Sequence, residues 1–504
     1  MKAILEFAGQ LLGSGLGNLA AYLAAHVLLC LLPAFVIAGA MTALIPKDVV
    51  TRFLGRGRPK IISYPAAALA GFLLAVCSCT VIPLFAGIYK KGAGLGPAIT
   101  FLFVAPAVNI LALSYTGKVL GMDLALARLL LSLVFGIGVG LMMAAIFFRE
   151  DLEHDAAADA LFAGQQKMRG AAAGFLLLLV ALLVAGTLQV GFLKQTYVSV
   201  EIPGQVFHRV QEILNGLVPF DPAKGEEGLT AQGLLLIGLL GLMGLSAWKG
   251  IECVFEGKNA WISTFLVLLG ITLMLAAMGM APHPGGLELQ FTGKFFAVTL
   301  LLGILGWMLK HQLREEEVRD MLWESWRFVK QIFPLLIIGV FAVGMIRELI
   351  QPQWIQTLAG DNTLAGNLAG VVFGVFMYFP TLVEVPIAQM FLDLGMHRGP
   401  LLAYLISDPE LSLQSILITA SIIGRRKAWV YVGLIAVFST LAGLLFGAWV
   451  EGAELLQLAL ILAAMLAVLS AGLFLINRQN HVLAKKRDED ISESVAGEDG
   501  HQSI

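Results

Sequence analysis

Residues 75–110 read AVCSCTVIPLFAGIYKKGAGLGPAITFLFVAPAVNI. The stretch is apolar enough to sit in a lipid bilayer, yet residues that membrane-crossing helices usually avoid interrupt it. Cys77, Ser78 and Cys79 stand near its start, followed by Pro83, the pair Lys90-Lys91, the step Gly96-Pro97 and Pro106. Each proline removes an amide N–H, so Pro83 frees the carbonyl of Cys79 and Pro106 frees that of Leu102. Freed backbone is tolerated at membrane depth only where protein or a water-filled cavity satisfies it. Gly96-Pro97 suits the opposite task, starting a helix after a tight turn. The stretch therefore reads as a broken helix, a turn and a second broken helix.

The same punctuation returns later in the chain. A shift of 303 residues pairs Gly71 with Gly374, Pro83 with Pro386, Gly92 with Gly395, Gly96-Pro97 with Gly399-Pro400, and Pro106 with Pro409. A slip to 305 pairs Leu44-Ile45 with Leu349-Ile350 and Gly55 with Gly360. One or two such matches would mean little, but this many prolines and glycines in register argue for an internal repeat. Paired interruptions in corresponding halves point to the central site of a transporter.

Composition places the repeat in a membrane protein. Of 504 residues, 58 % are hydrophobic and 13 % charged, where a soluble domain carries about a quarter charged residues. Mean hydropathy is +0.84. Crossing the hydrocarbon core takes roughly 20 apolar residues, and about twelve or thirteen such segments are present. The expected fold is an all-α polytopic membrane protein, with two repeated four-span units of broken helices joined by a middle membrane region. Residues 1–148 form the first unit, 149–330 a middle linker with about four extra spans, and 331–450 the second unit. A final span at 451–477 and a disordered, cytoplasmic tail at 478–504 complete the chain. In the first unit the spans are expected at 19–45, 62–89, 96–121 and 123–148. The apolar run after Lys2 is too long for a signal-peptide core.

Charge orients the chain. Lys47, Arg52, Arg56, Arg58 and Lys60 surround a single acid, Asp48, which makes that loop cytoplasmic and the N-terminus external. Counting thirteen spans also places Arg425-Arg426-Lys427 inside and makes the two units parallel; one false middle span would invert them. The charged segment 310–330 is expected to lie along the interface or to form a solvated connector. The net charge of −2 is silent on nucleic acid, but no basic cluster of the needed density appears, so none is expected as a partner. The partners are then the bilayer and a small molecule or ion, in a multi-pass protein of the inner or plasma membrane. Nothing indicates an oligomeric state or a cofactor.

The run CSCTVIPLFAGIYKKGAGLGPAITFLFVAPAVN resembles the signature of the ArsP-type (YraQ-like) permease family, and TLVEVPIAQMFLDLGMHRGPLLAYLISDPELSLQS resembles its second signature. The resemblance covers both four-span units. It implies a permease, with efflux of trivalent organoarsenicals, copper or zinc among the activities associated with the family.

Several residues are candidates for transport chemistry. Thiolate is the natural ligand of soft cations and trivalent arsenic, so Cys77 and Cys79, with Ser78, Pro83, Pro106 and Asn109, form a candidate substrate site and a candidate metal site. On an unbroken helix the two cysteines would point about 200° apart, so gripping one ion requires an extended backbone or a third ligand. The alternative is that they are small packed residues. The second unit carries acids where the first has none: Glu384 stands opposite Val81, Asp408 opposite Ala105 and Glu410 opposite Ala107. A mid-membrane charge costs about 2.5–3.5 kcal/mol on insertion scales, so such residues are functional candidates by default. Glu384, Asp408 and Glu410 are expected to couple transport to a proton or cation, although Glu410 could instead sit in water at a helix end.

The remaining candidates read more plainly. His26 and Cys30 share one helix face, compatible with a transient metal step or with core packing. Cys253 is incidental, and Lys90, Lys91 and Arg398 read as solvated turn tips. Four cysteines are too few for a disulfide framework. No Walker A loop, dinucleotide fingerprint or HExxH motif is present, which excludes ATP-driven transport by this chain alone. The expected activity is efflux by alternating access driven by protons. A passive channel or importer, a membrane-embedded enzyme and a scaffold subunit are the alternatives.

Overall fold

The computed structural model describes residues 2–454, with breaks at 26–28, 30, 75–77, 109, 163–168, 188–190, 204–205, 218–228, 253–258, 284–285, 348, 350–351 and 377–380, and scattered positions from 456 to 467. The first unit comprises α1 (Lys2–Ala25), α2 (Leu32–Leu44), α3 (Lys47–Leu54), α4 (Lys60–Leu74), α5 (Ser78–Lys90), α6 (Leu95–Ala107), α7 (Ile110–Val119) and α8 (Met122–Ile146). The middle holds α9 (Phe148–Phe162), α10 (Gly170–Thr187), α11 (Gly191–Lys194), β1 (Thr196–Pro203), α12 (Val206–Leu217), α13 (Ala231–Ile251), α14 (Asn259–Ala277), β2 (Gly279–His283), β3 (Gly286–Thr292) and α15 (Gly293–His311). The rest is α16 (Glu315–Arg347), α17 (Pro352–Ala359), α18 (Leu364–Phe376), α19 (Thr381–Asp393), α20 (Arg398–Leu411), α21 (Leu413–Ile423) and α22 (Arg425–Val450).

Helix bounds in the two units correspond closely. Adding 303 to the starts of α5, α6, α7 and α8 gives 381, 398, 413 and 425, the starts of α19, α20, α21 and α22. The turns match as well. Gly92 and Gly395 have φ of 86° and 93°, and Gly121 and Gly424 have φ of 112° and 91°, a left-handed backbone that glycine adopts without steric cost. Ala93 N donates to Ile88 O as Met396 N donates to Phe391 O, the six-residue closure of a Schellman helix end. Gly94 N reaches back to Leu54 O as His397 N does to Ala359 O, both at 2.9 Å.

The segment expected as one span over 62–89 is instead two helices running in opposite directions. In α4, Tyr64 lies against Gly96 and Gly71 against Ala105, so α4 and α6 run side by side in the same sense. The Gly92 turn makes α5 antiparallel to α6, and hence to α4. α4 and α5 thus form a re-entrant hairpin that opens on the Arg56 face, with residues 75–77 between its two helices. The second unit repeats this: Gly370 packs on Pro400 and Gly374 on Asp408, so α18 enters beside α20 and α19 turns back. Each unit keeps one bent crossing, α6–α7 at 42° and α20–α21 at 46°.

The crossing lost from the first unit leaves an odd number of spans before the second, which reverses the expected parallel arrangement. Arg398, at the start of α20, contacts Leu120 O and Asp123, at the turn before α8. Arg426 and Lys427, at the start of α22, pair with Glu150 just beyond the end of α8. The two units therefore run in opposite senses. Phe135 and Phe438, which are 303 positions apart, pack with ring centroids 5.1 Å from each other. They pack where α8 and α22 meet.

Seven helices of the described residues are long and apolar enough to cross a membrane alone, or up to nine when each bent pair counts as one span. This is fewer than the hydropathy count, because the hairpins do not cross and the run at 19–45 is divided between α1 and α2 around positions 26–28 and 30. Both those positions and most of the final run at 454–476 fall outside the described residues. The charged segment 310–330 is not a helix of its own. Lys310 and His311 end α15, and residues 315–330 form the first half of α16, one 33-residue helix containing Pro334, with Ser325 packed on Gly39 of α2. Between the units, α13 packs on α1 and α10 on α2, while α14 and α15 pack on α13 and α10. A three-stranded antiparallel sheet of order β1-β3-β2 joins their far ends.

Candidate transport site

The innermost parts of the molecule are the two half-helices after the hairpins. Every residue of α6 is buried, as is every residue of α20 from Gly399 to Leu411. A helix apolar on all sides belongs in a core, and α6 fits that description. α20 does not, because it carries Asp408 and Glu410 near its end, 0 % and 4 % exposed. The reading of Glu410 as a helix-end acid in water is therefore overturned.

The sequence reading missed the cation at this site. Arg128 sits six residues into α8, about 9 Å along its axis, and is fully buried. Leu126, Leu130 and Val134 face outward as apolar surface, whereas Arg128, Ser132 and Phe135 face inward. Arg128 Nη2 donates to both oxygens of Glu384 at 3.0 and 3.1 Å, across 256 residues of sequence. Its Nε donates to Ala107 O at 2.9 Å and its Nη1 reaches Thr116 Oγ1 at 3.5 Å. The last carbonyls of a helix lack intrahelical partners; here the guanidinium satisfies one at the α6–α7 break. A charge within a 25-residue apolar helix was the available signal.

Tyr431 occupies the position 303 beyond Arg128, and its hydroxyl donates to Glu410 Oε2 at 2.6 Å. Positions 107 and 128 thus touch in one unit as 410 and 431 do in the other, with different chemistry. The first contact is a guanidinium on a carbonyl, the second a phenol on a carboxylate. Glu410 Oε1 and both polar atoms of the Gln414 side chain have no hydrogen-bond partner among the described residues. They flank the α20–α21 break at Ser412, whose extended ψ of 142° interrupts the helix. In the first unit these places hold Ala107 and Leu111.

The structure brings together only part of the expected site. Glu384, 1 % exposed, stands in the first turn of α19 and binds the opposite unit through Arg128. It is therefore one half of an ion pair rather than an open cation ligand. Asp408 lies one turn before the α20–α21 break. Pro83 and Pro106 are inside α5 and α6. Ser78 and Cys79 begin α5, beside the hairpin apex. Cys77, Asn109, His26, Cys30 and Cys253 lie outside the described residues. Among the described residues no three His, Cys, Asp or Glu side chains are grouped as metal ligands.

The turn-tip cations are not solvated tips. Lys90 pairs with Glu324, Lys91 is fully buried, and Arg398 pairs with Asp123 at 2.7 Å. Burial, reinforced by neighbouring Lys90, lowers the Lys91 ammonium to about 8.

Residues 14–448 match a family model described as a predicted permease, ArsP_1. The chain belongs to this permease family. It is 31 % identical over 448 residues to the UPF0718 protein MJ0584 of Methanocaldococcus jannaschii, covering 88 % of this chain and 98 % of that one. It is also 29 % identical over 118 residues to the UPF0718 protein YraQ of Escherichia coli, covering 23 % of this chain and 34 % of that one. No solved structure matches. Family and apolar helices together make the chain a multi-pass membrane transporter, the class expected from its two signature stretches.

Proposed function

We propose that this permease exports a soft metal or metalloid species across the cytoplasmic membrane by alternating access, driven by protons. The observation that carries the reading is the buried Arg128–Glu384 pair, which ties the second unit's hairpin to α8 of the first. Its counterpart under the repeat is Val81 against Tyr431, so one gate carries an ionic latch and the other lacks it. Protonation of Glu384 removes the charge that holds Arg128 and releases the hairpin. The acids at the α20–α21 break, Asp408 and Glu410, together with Gln414, then offer the cation or proton site. The carbonyl end of α20 adds negative potential there.

Cargo selection rests on Cys77 and Cys79, which flank Ser78 in the first signature stretch. Asn109 and the broken backbone at Pro83 and Pro106 complete the expected substrate site. Thiols favour trivalent arsenicals and copper, with zinc the third candidate.

The test is uptake into everted vesicles of methylarsenite, copper or zinc, with and without an uncoupler. Accumulation that collapses with the uncoupler and with Glu384→Gln is expected. No accumulation of any of the three would sink the efflux reading. Uptake that survives the uncoupler would favour a passive channel, for which a closed, ion-paired core gives less support.

A further inference from the structure

We propose that a basic pocket at the cytoplasmic mouth of the first hairpin binds the phosphate headgroup of an anionic phospholipid, whose acyl chains lie along α4. The pocket encloses about 400 Å³ between the α3–α4 loop, the start of α6 and the end of α8. Arg56, Arg58 and Lys60 line it, together with Ser63, Tyr64 and a single acid, Asp151. Asp151 is already engaged within the pocket: its Oδ1 accepts from Leu95 N at 2.9 Å, and its Oδ2 pairs with Arg56 at 4.0 Å. Arg56 is also stacked over Phe148 at 4.1 Å. Arg58 and Lys60 form no ion pair among the described residues, so the cavity holds uncompensated positive charge beside two hydroxyls that are 2 % and 4 % exposed.

A soluble anion would need only the pocket, but the neighbouring surface fits a lipid. Ile61, Ile62 and Leu69 on α4 are 84 %, 50 % and 58 % exposed. They provide an apolar wall leading from the basic pocket into the bilayer. Basic pockets between membrane helices on the cytoplasmic side are suited to anionic headgroups.

The repeat supplies an internal control. Where the first unit has Gly55-Arg56-Gly57-Arg58-Pro59 before α4, the second has Gly360-Asp361-Asn362-Thr363 before α18. There Asn367 Nδ2 donates to Asn362 Oδ1 at 2.9 Å, and Asn362 Nδ2 donates to Leu444 O at 3.3 Å. Two amides fill the equivalent space, against Gly399, Gly443 and Gly447. Among the described residues the basic site is thus found on the face that the positive-inside rule makes cytoplasmic, where anionic lipid is concentrated, and it abuts the mouth of the first hairpin.

The test uses the full chain in phosphatidylcholine vesicles with and without phosphatidylglycerol, and native mass spectrometry to count retained lipid. A basic residue near a charged membrane surface contributes enough that losing two should weaken phosphatidylglycerol retention roughly tenfold or more. Arg58→Gln/Lys60→Gln is expected to show that loss, while Arg425→Gln on the same face is not. The charge-preserving exchange Arg58→Lys/Lys60→Arg should restore retention, and melting in phosphatidylcholine alone checks that each variant folds. Equal retention in wild type and the double Gln variant would overturn the proposal, as would failure of the charge-preserving rescue. Stabilisation of the detergent-solubilised protein by inorganic phosphate alone, lost in the same variant, would assign the pocket to a free anion instead.

Discussion

Breaking the Arg128–Glu384 pair from either side should cost far more than removing both members. Both side chains are closed off from solvent, at 0 % and 1 % exposed, and the carboxylate is held by two bonds of 3.0 and 3.1 Å. Glu384→Met leaves the guanidinium buried with only Ala107 O and Thr116 as partners. Arg128→Met leaves the carboxylate with no charge opposite. Removing one member of a buried pair costs about 3–5 kcal/mol, whereas replacing both with apolar side chains is often neutral. The double variant Arg128→Met/Glu384→Met should therefore lie within about 1–2 kcal/mol of wild type, the residue being the orphaned Ala107 carbonyl. Thermal melts of the purified protein across the double-mutant cycle measure this. A coupling of about 3 kcal/mol or more is expected. Single effects that simply add would refute the pair as an energetic unit. If the pair is the gate, all three variants lose uncoupler-sensitive uptake even where stability returns.

Four further outcomes follow from the same geometry. Cysteines placed at 57 and 361, matching loops of the two units, should react with an impermeant maleimide from opposite sides of the membrane; same-side labelling would refute the inversion. Gly424→Ala should cost about 1–2 kcal/mol from backbone strain alone, since φ is 91° and nothing lies within 4 Å of the added methyl; an unchanged melting temperature would contradict that conformation. Gly39→Val should cost about 1–3 kcal/mol by overpacking, because Ser325 of α16 occupies the space a Cβ needs, and a neutral effect would separate α2 from α16. Lys91 binds its proton less tightly in the folded chain, at about 8, than in the unfolded one. Between that value and the ordinary lysine range the unfolded state holds more protons, so stability should rise with pH. Lys91→Met should flatten that part of the pH–melting profile, and an unchanged slope would remove Lys91 as its source.

Local features of the chain were legible where physical chemistry is local. Proline marks the bent crossings beside Pro106 and Pro409, whereas Pro83 and Pro386 lie inside the continuous α5 and α19. The Gly92 and Gly395 turns stand where the spacing of glycines expected tight turns. The exceptional residues of the second unit, Glu384, Asp408 and Glu410, stood out because charge is costly in an apolar setting. Arg128 carried the same signal and was overlooked. Its flanking leucines make α8 read as an ordinary span, and its partner lies 256 residues away.

The sequence alone determined that this is a polytopic permease with two similarly punctuated stretches, since composition and periodicity act residue by residue. Only the tertiary structure decided whether a long apolar run crosses or turns back. Both solutions bury the same side chains, and they differ in which helices α4 and α18 pack against. That choice sets the parity of crossings, and with it the inversion of the second unit. The inversion in turn carries Glu384 to Arg128, a contact that hydropathy cannot encode.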